Sequence, residues 1–223
     1  MKITYKQVKQ SPDIQTYISH ADKALESRGY TEHSNTHAEL TADTAYDILQ
    51  TLGYGERECE LAQIAGYMHD IGNCINRSNH ANTGALIAMS LLDKLGMPAD
   101  ETASIISAIG HHDDLTAVPI NPIVAAVILA DKMDVRRSRV RYPDGVNPQI
   151  KDIHDRVNYA CVQSRYYFSE DKTELLLDLI IDKDISPVIE YFEIFLQRMS
   201  LCRLSAAALG INFRLVINNS KIV

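Results

Sequence analysis

The sequence predicts a mainly α-helical bundle followed by a small α+β extension. Two observations predict it. Between Ser11 and Asp134, apolar residues recur at helical spacing, in segments punctuated by Gly and Pro. After about residue 140 the pattern changes: two short strand-like runs flank a polar tetrapeptide, and a long apolar helix and a last strand follow. Residues 1–142 are expected to form the helical unit and residues 143–223 the extension.

Ser11-Pro12-Asp13 places a cap and then proline at a helix start, and Gly29 closes that helix after Ser27. Ser34–Leu52 keeps a helical period through Leu40, Ala45, Ile48 and Leu52, with Gly53 behind it. Arg57–Ile71 aligns Leu61, Ile64, Ala65, Met68 and Ile71, and Gly72 reads as its C-terminal stop. Asn82–Leu95 repeats the pattern through Leu86, Leu91 and Leu92. Pro98-Ala99-Asp100-Glu101 opens a helix to Gly110, and Pro122 opens a short apolar one over Ile123–Asp134. Val140–Pro148 carries turn chemistry and reads as the boundary. Ile150–Ala160 is expected to be helical. Val162–Phe168 and Glu174–Ile181 are expected as a hairpin turning at Ser169-Glu170-Asp171-Lys172. Ser186-Pro187 starts a helix to Leu209, Gly210 ends it, and Phe213–Ile217 reads as the last strand.

With 223 residues, 46% hydrophobic and 23% charged, the chain can bury a core unaided by disulfides. Its cysteines, Cys59, Cys74, Cys161 and Cys202, form no CxxC pair and read as reduced core thiols of a cytoplasmic protein. A net charge of −7 argues against a nucleic-acid or anionic-membrane surface, but leaves room for a local phosphate pocket. The start, MKITYKQVKQ, has no apolar core of a secretory signal, and no apolar run is long enough to span a bilayer.

Five of the eight histidines fall in one series: His37, His69-Asp70, His80, His111-His112, then Asp131. Imidazoles and carboxylates gathered in a protein interior need metal or charge partners. Consecutive helical residues are splayed by ~100°, so two neighbours converge on one ion most easily where a helix ends. His69-Asp70 just before Gly72, and His111-His112 just after Gly110, occupy such places. Asp131 lies on the apolar stretch AVILADKMD, where a carboxylate needs a strong partner.

Set out this way, the chain resembles the HD superfamily of metal-dependent phosphohydrolases. The matching segments are HAELTA from His37, HDIG at His69–Gly72, NHANTGA around His80, GHHDD at His111-His112 and ADKMDVRR around Asp131. The resemblance covers roughly residues 30–140. It implies one metal on His37, His69, Asp70 and Asp131, and a second on His80, His111 and His112, with Asp70 bridging and His69 and Asp70 central to catalysis. Iron or manganese is the family-typical filling; magnesium, nickel, cobalt and zinc are further options. A metal-activated water would attack a phosphoester or phosphoanhydride, in a nucleotide or another small phosphorylated metabolite. The GYP signature of the related cyclic-dinucleotide phosphodiesterases is replaced by DDLTAVPIN. The lysine of HDIGK is Asn73 here, so a phosphate contact from that position would be neutral. Similarity to HD-type diadenosine tetraphosphate hydrolases is better around NHANTGA and ADKMDVRR.

Simpler readings stand beside these. His69-Asp70 also fits a buried hydrogen bond, and Asp131 a surface acid. His33, four residues before His37 and able to share its helical face, reads as a further ligand, a phosphate contact or simply a polar residue near the helix start. Lys132, Arg136 and Arg137 form a basic patch suited to phosphate oxygens, or a solvated helix end. Asp113 and Asp114 read as exposed acids or as groups orienting a histidine. The rivals to a hydrolase are a non-catalytic nucleotide- or metal-binding sensor module and a di-iron oxygenase. Tyr191–Met199 and the C-terminal strands are expected to serve a homodimer.

Overall fold

A computed structural model describes residues 2–113, 117–141 and 152–222. The chain divides into two compact units, Met1–Asp131 and Lys132–Val223. Among the described residues the fold is mainly α, with one small sheet near the C-terminus.

The first unit is a helical bundle: α1 (Tyr5–Lys9), α2 (Pro12–Glu26), α3 (Asn35–Thr51), α4 (Glu56–Met68), α5 (His80–Leu95), α6 (Ala99–Gly110) and α7 (Pro122–Lys132). A 3-10 turn over Ile71–Cys74 separates α4 from α5. α3 packs on α4 and α5 on α6, while the 3-10 turn wedges against α2 and α5. The core is built from Ile14, Ile48, Leu49, Ile64, Met68, Leu92 and Ile105, all fully buried. Val124–Leu129 of α7 is buried all round, as a helix apolar on every face requires.

Several expectations are corrected. α1 was not anticipated, although Thr4 and Gln7 form a capping box around its start: the Gln7 amide donates to Thr4 Oγ1 (3.3 Å) and the Thr4 amide to Gln7 Oε1 (2.9 Å). α5 begins at His80, two residues earlier than expected. Leu40 and Leu86, counted to apolar faces, are 40% and 63% exposed. Gly72 is no helix stop. α4 ends at Met68, and a Cβ on Gly72 would lie 2.0 Å from the His80 carbonyl oxygen and 2.5 Å from the Gly84 nitrogen. Glycine is needed there because the 3-10 turn touches the backbone of α5.

In the second unit, α8 (Ile153–Ala160) leads into β1 (Cys161–Phe168), β2 (Glu174–Ile181), α9 (Val188–Ala208), β3 (Asn212–Ile217) and β4 (Ser220–Lys221). The segment read as the boundary, Val140–Pro148, lies mostly outside the described residues, as does the start of the Ile150–Ala160 helix. β1 and β2 form the expected antiparallel hairpin, and Arg165 donates twice to Asp178 Oδ2 (2.6 and 3.0 Å) across it. β3 pairs parallel with β2, which requires α9 as the crossover. β4, not anticipated, returns on β3 through Asn218-Asn219, both at positive φ as a tight hairpin turn demands. Leu175, Leu177, Leu179 and Ile181 alternate into the core with Phe213, Leu215 and Ile217. One face of α9, Tyr191, Phe195, Met199, Cys202 and Ala206, is buried, and α9 packs on β3. None of the four cysteines is in a disulfide, and Cys59, Cys161 and Cys202 are buried.

Candidate metal centre

Six side chains converge inside the first unit. α3 supplies His37, the end of α4 supplies His69 and Asp70, α5 starts with His80, α6 ends just before His112, and α7 supplies Asp131. Each comes from a helix or its terminus, so backbone hydrogen bonding fixes its position. His37, His69, His80 and His112 are at most 2% exposed.

Asp70 is central, and its two oxygens face different histidines. Oδ2 lies 3.2 Å from His69 Nε2 and 3.8 Å from His37 Nε2. Oδ1 lies 3.3 Å from His80 Nε2 and 3.9 Å from His112 Nε2. Asp131 Oδ1 closes the first side, 3.4 Å from His37 Nε2 and 3.7 Å from His69 Nε2. Three sets of ligand atoms lie within 4.8 Å of one another: His37, His69 and Asp70; His69, His112 and Asp131; Asp70, His80 and His112.

The donor chemistry suits a cation. His69 Nδ1 meets the Gly66 carbonyl at 2.7 Å, His80 Nδ1 the Arg77 carbonyl at 3.0 Å, and His112 Nδ1 the Ile109 carbonyl at 2.6 Å. A carbonyl accepts only, so each Nδ1 carries a proton and each ring turns its Nε2 inward. Yet His80 Nε2 and His112 Nε2 are 3.2 Å apart, as are those of His37 and His69. Two Nε2 atoms that close cannot both present lone pairs without repulsion, and a cation bound between them would satisfy both. The Nδ1–carbonyl bonds also orient the rings as outer partners of metal-binding histidines do.

Burial alone would push the Asp70 carboxyl up and the His69 imidazole down. Their contact reverses both: Asp70 is held well below the usual carboxylate range by His69, His80 and His33, and His69 is raised by Asp70 and Asp131.

The other candidates fall as follows. His111 joins none of the convergent groups among the described residues; its backbone amide caps α6 on the Ser107 carbonyl at 3.1 Å. His33 stands at the rim, Nε2 3.9 Å from Asp70 Oδ2, with Nδ1 on the Thr31 carbonyl at 2.7 Å. Asn73 is buried and turned to Asp70, donating to its backbone oxygen (2.9 Å) and to Oδ1 (2.7 Å). Lys132 is buried. Arg136 donates to both Asp134 oxygens, and Arg137 stacks over the Tyr159 ring at 4.5 Å; both are thus used within the second unit. Asp113 is half-buried, and Asp114 lies outside the described residues. Arg77 was overlooked: its Nη1 lies 3.4 Å from His80 Nε2 and 3.5 Å from Asp70 Oδ1. The signal available was a cation three residues before a histidine of the series.

Residues 35–136 match the HD domain family, so this segment of the chain carries an HD domain. HD domains form a superfamily of metal-dependent phosphohydrolases that bind divalent metals. An uncharacterized protein of Methanocaldococcus jannaschii is 23% identical over 206 residues, covering 82% of this chain and 78% of its own. That span exceeds what Met1–Asp131 can supply, so the similarity reaches into the second unit. Among the described residues, no helix is long and apolar enough to cross a membrane.

Proposed function

We propose that this chain hydrolyses a phosphoester or phosphoanhydride in a nucleotide or another small phosphorylated metabolite, with two divalent ions, iron or manganese, at the histidine–aspartate cluster. The observation that carries this reading is the placement of the two Asp70 oxygens, one beside His69 and His37, the other beside His80 and His112. One ion would sit on His37, His69, Asp70 and Asp131, the other on Asp70, His80 and His112. Arg77 Nη1 stands beside the second set and His33 Nε2 beside the Asp70 oxygen of the first.

Bound divalent ions supply Lewis acidity toward phosphoryl oxygens and lower the pKa of water. The chain's own groups do the rest. Asp70 holds its orientation through Asn73. Arg77 presents a guanidinium to equatorial phosphoryl oxygens, and His33 presents Nε2 to the leaving oxygen. Hydrolysis forms one P–O bond from water, breaks the ester P–O bond and leaves a water proton on the departing oxygen.

The test is phosphate release from a panel of nucleotides and small phosphoesters, after separate loading with Mn²⁺ and Fe²⁺, with Asp70→Ala as control. Selective turnover lost in the control is expected. A metal-loaded chain without turnover would shift the reading to a binding module, and turnover only with iron and oxygen to an oxygenase.

The homodimer is proposed to use Ile189, Leu196 and Leu204, which are exposed along one side of α9, because Tyr191 and Phe195 are buried. A monomer in light scattering at micromolar concentration would remove it.

A further inference from the structure

A cavity of about 400 Å³ opens beside the centre, lined among others by Arg28, Tyr30, Asn76, Arg77, Asn82 and Asp113. Arg77 belongs to both places. Its Nη1 contacts Asp70 Oδ1, Asn73 Oδ1 (3.4 Å) and His80 Nε2, while the side chain, 26% exposed, lines the cavity wall. Also lining the cavity, Arg28 donates to Asn76 Oδ1 at 3.4 Å and lies over the Tyr30 ring at 5.6 Å.

We infer that this cavity is the substrate subsite: Arg77 anchors the phosphoryl group at the mouth of the metal centre, and the Arg28–Tyr30 stack with Asn76 and Asn82 receives a planar, hydrogen-bonding group esterified to it, as in a nucleoside monophosphate. This rests on the hydrolase reading and gives it a substrate class. Three features carry it. A guanidinium fork matches phosphoryl oxygens and is already held next to the metal-ligating carboxylate. The stacked arginine and the tyrosine ring offer flat faces, against which a planar group packs with little loss of freedom. The Asn82 amide offers a donor and an acceptor side by side in one plane, as a base edge does, and Asn76, whose oxygen already accepts from Arg28 and the Ser78 amide, offers its amide N–H groups. Asp113 adds an acceptor for a hydroxyl or amino group.

The experiment is anaerobic calorimetric titration of the metal-loaded full chain with inorganic phosphate, methylphosphonate and the phosphonate analogue of adenosine monophosphate. None of these probes can be hydrolysed. The nucleoside phosphonate is expected to bind at least about tenfold tighter than methylphosphonate, ~1.4 kcal/mol. Arg77→Gln weakens all three, and Arg77→Lys recovers part of the loss. Tyr30→Ala and Asn82→Ala weaken only the nucleoside phosphonate. Equal affinity for the two phosphonates overturns the inference, as does phosphate binding unchanged in Arg77→Gln. Metal content is measured for every variant; metal loss in Arg77→Gln would make Arg77 a part of site assembly and overturn its role as anchor. Because binding is read without turnover, failure of the subsite and failure of the hydrolase reading are separate results.

Discussion

His80 and His112 face each other through Nε2 at 3.2 Å while each is pinned through Nδ1 to a carbonyl three residues before it. Neither ring can turn its lone pair away without giving up a buried hydrogen bond. A cation bound between them would therefore stabilise the fold. Treatment with a chelator should lower the melting temperature, and Mn²⁺ should restore it. At a hundred to a thousand times the dissociation constant the shift corresponds to about 3–4 kcal/mol. Differential scanning calorimetry with and without EDTA reads it, and coincident curves would count against any resident metal.

The two imidazoles of His111-His112 should separate in metal content. His112→Ala is expected to lose one metal per chain, whereas His111→Ala keeps both, because His112 points at Asp70 and His111 joins no convergent group. Asp70→Ala should lose both, since no other carboxylate faces both sides. Elemental analysis of the purified variants decides, and equal loss in the two histidine variants would restore His111 as a ligand.

Gly72→Ala should be among the most damaging single-methyl additions in the first unit. The new Cβ would meet backbone atoms of α5, which cannot move as a flexible side chain can. A cost of about 3 kcal/mol is expected, read by urea denaturation at equal metal loading. A midpoint within error of the parent would show that the turn can retreat from α5.

Glu101 accepts from Arg57 Nε at 2.7 Å and from Arg57 Nη2, and Arg57 also donates to the Ile3 carbonyl and to Glu60. This contact holds the Glu101 carboxyl below its ordinary value of 4.5. A depressed carboxylate contributes stability that is present above the unfolded pKa and is lost as the pH falls through the folded one. Glu101→Gln should thus cost about 1–2 kcal/mol at neutral pH, and the gap to the parent should narrow below pH 4.5. A gap that is constant from pH 7 to pH 3 would assign the effect to packing instead.

Much of the centre was legible in the sequence because imidazole and carboxylate are rare together in apolar surroundings. HDIG and the aspartate of AVILADKMD announced themselves by residue type alone. What was not legible depends on geometry that the letters do not carry. His111 and His112 are the same letter, and only the way α6 ends turns one inward. Gly72 was read as a helix stop because a left-handed turn and a close backbone approach both select glycine. Asn73 suggested a phosphate contact, but its amide is taken up by Asp70. Arg136 and Arg137 looked like a phosphate patch, because charge along a sequence does not show that Asp134 and Tyr159 lie beside them. The Thr4–Gln7 capping box is present in the letters, but α1 is too short to show a helical period.

The parallel pairing of β2 with β3 has a consequence for synthesis. The β1–β2 hairpin is complete soon after Ile181 is made, but its third strand arrives only after all of α9. Until then the inner edge of β2, the apolar run ELLLDLII, has no hydrogen-bonding neighbour and is open to any extended chain nearby. The nascent protein is at its most vulnerable to aggregation in that interval, and a ribosome pausing between Pro187 and Asn212 would lengthen it.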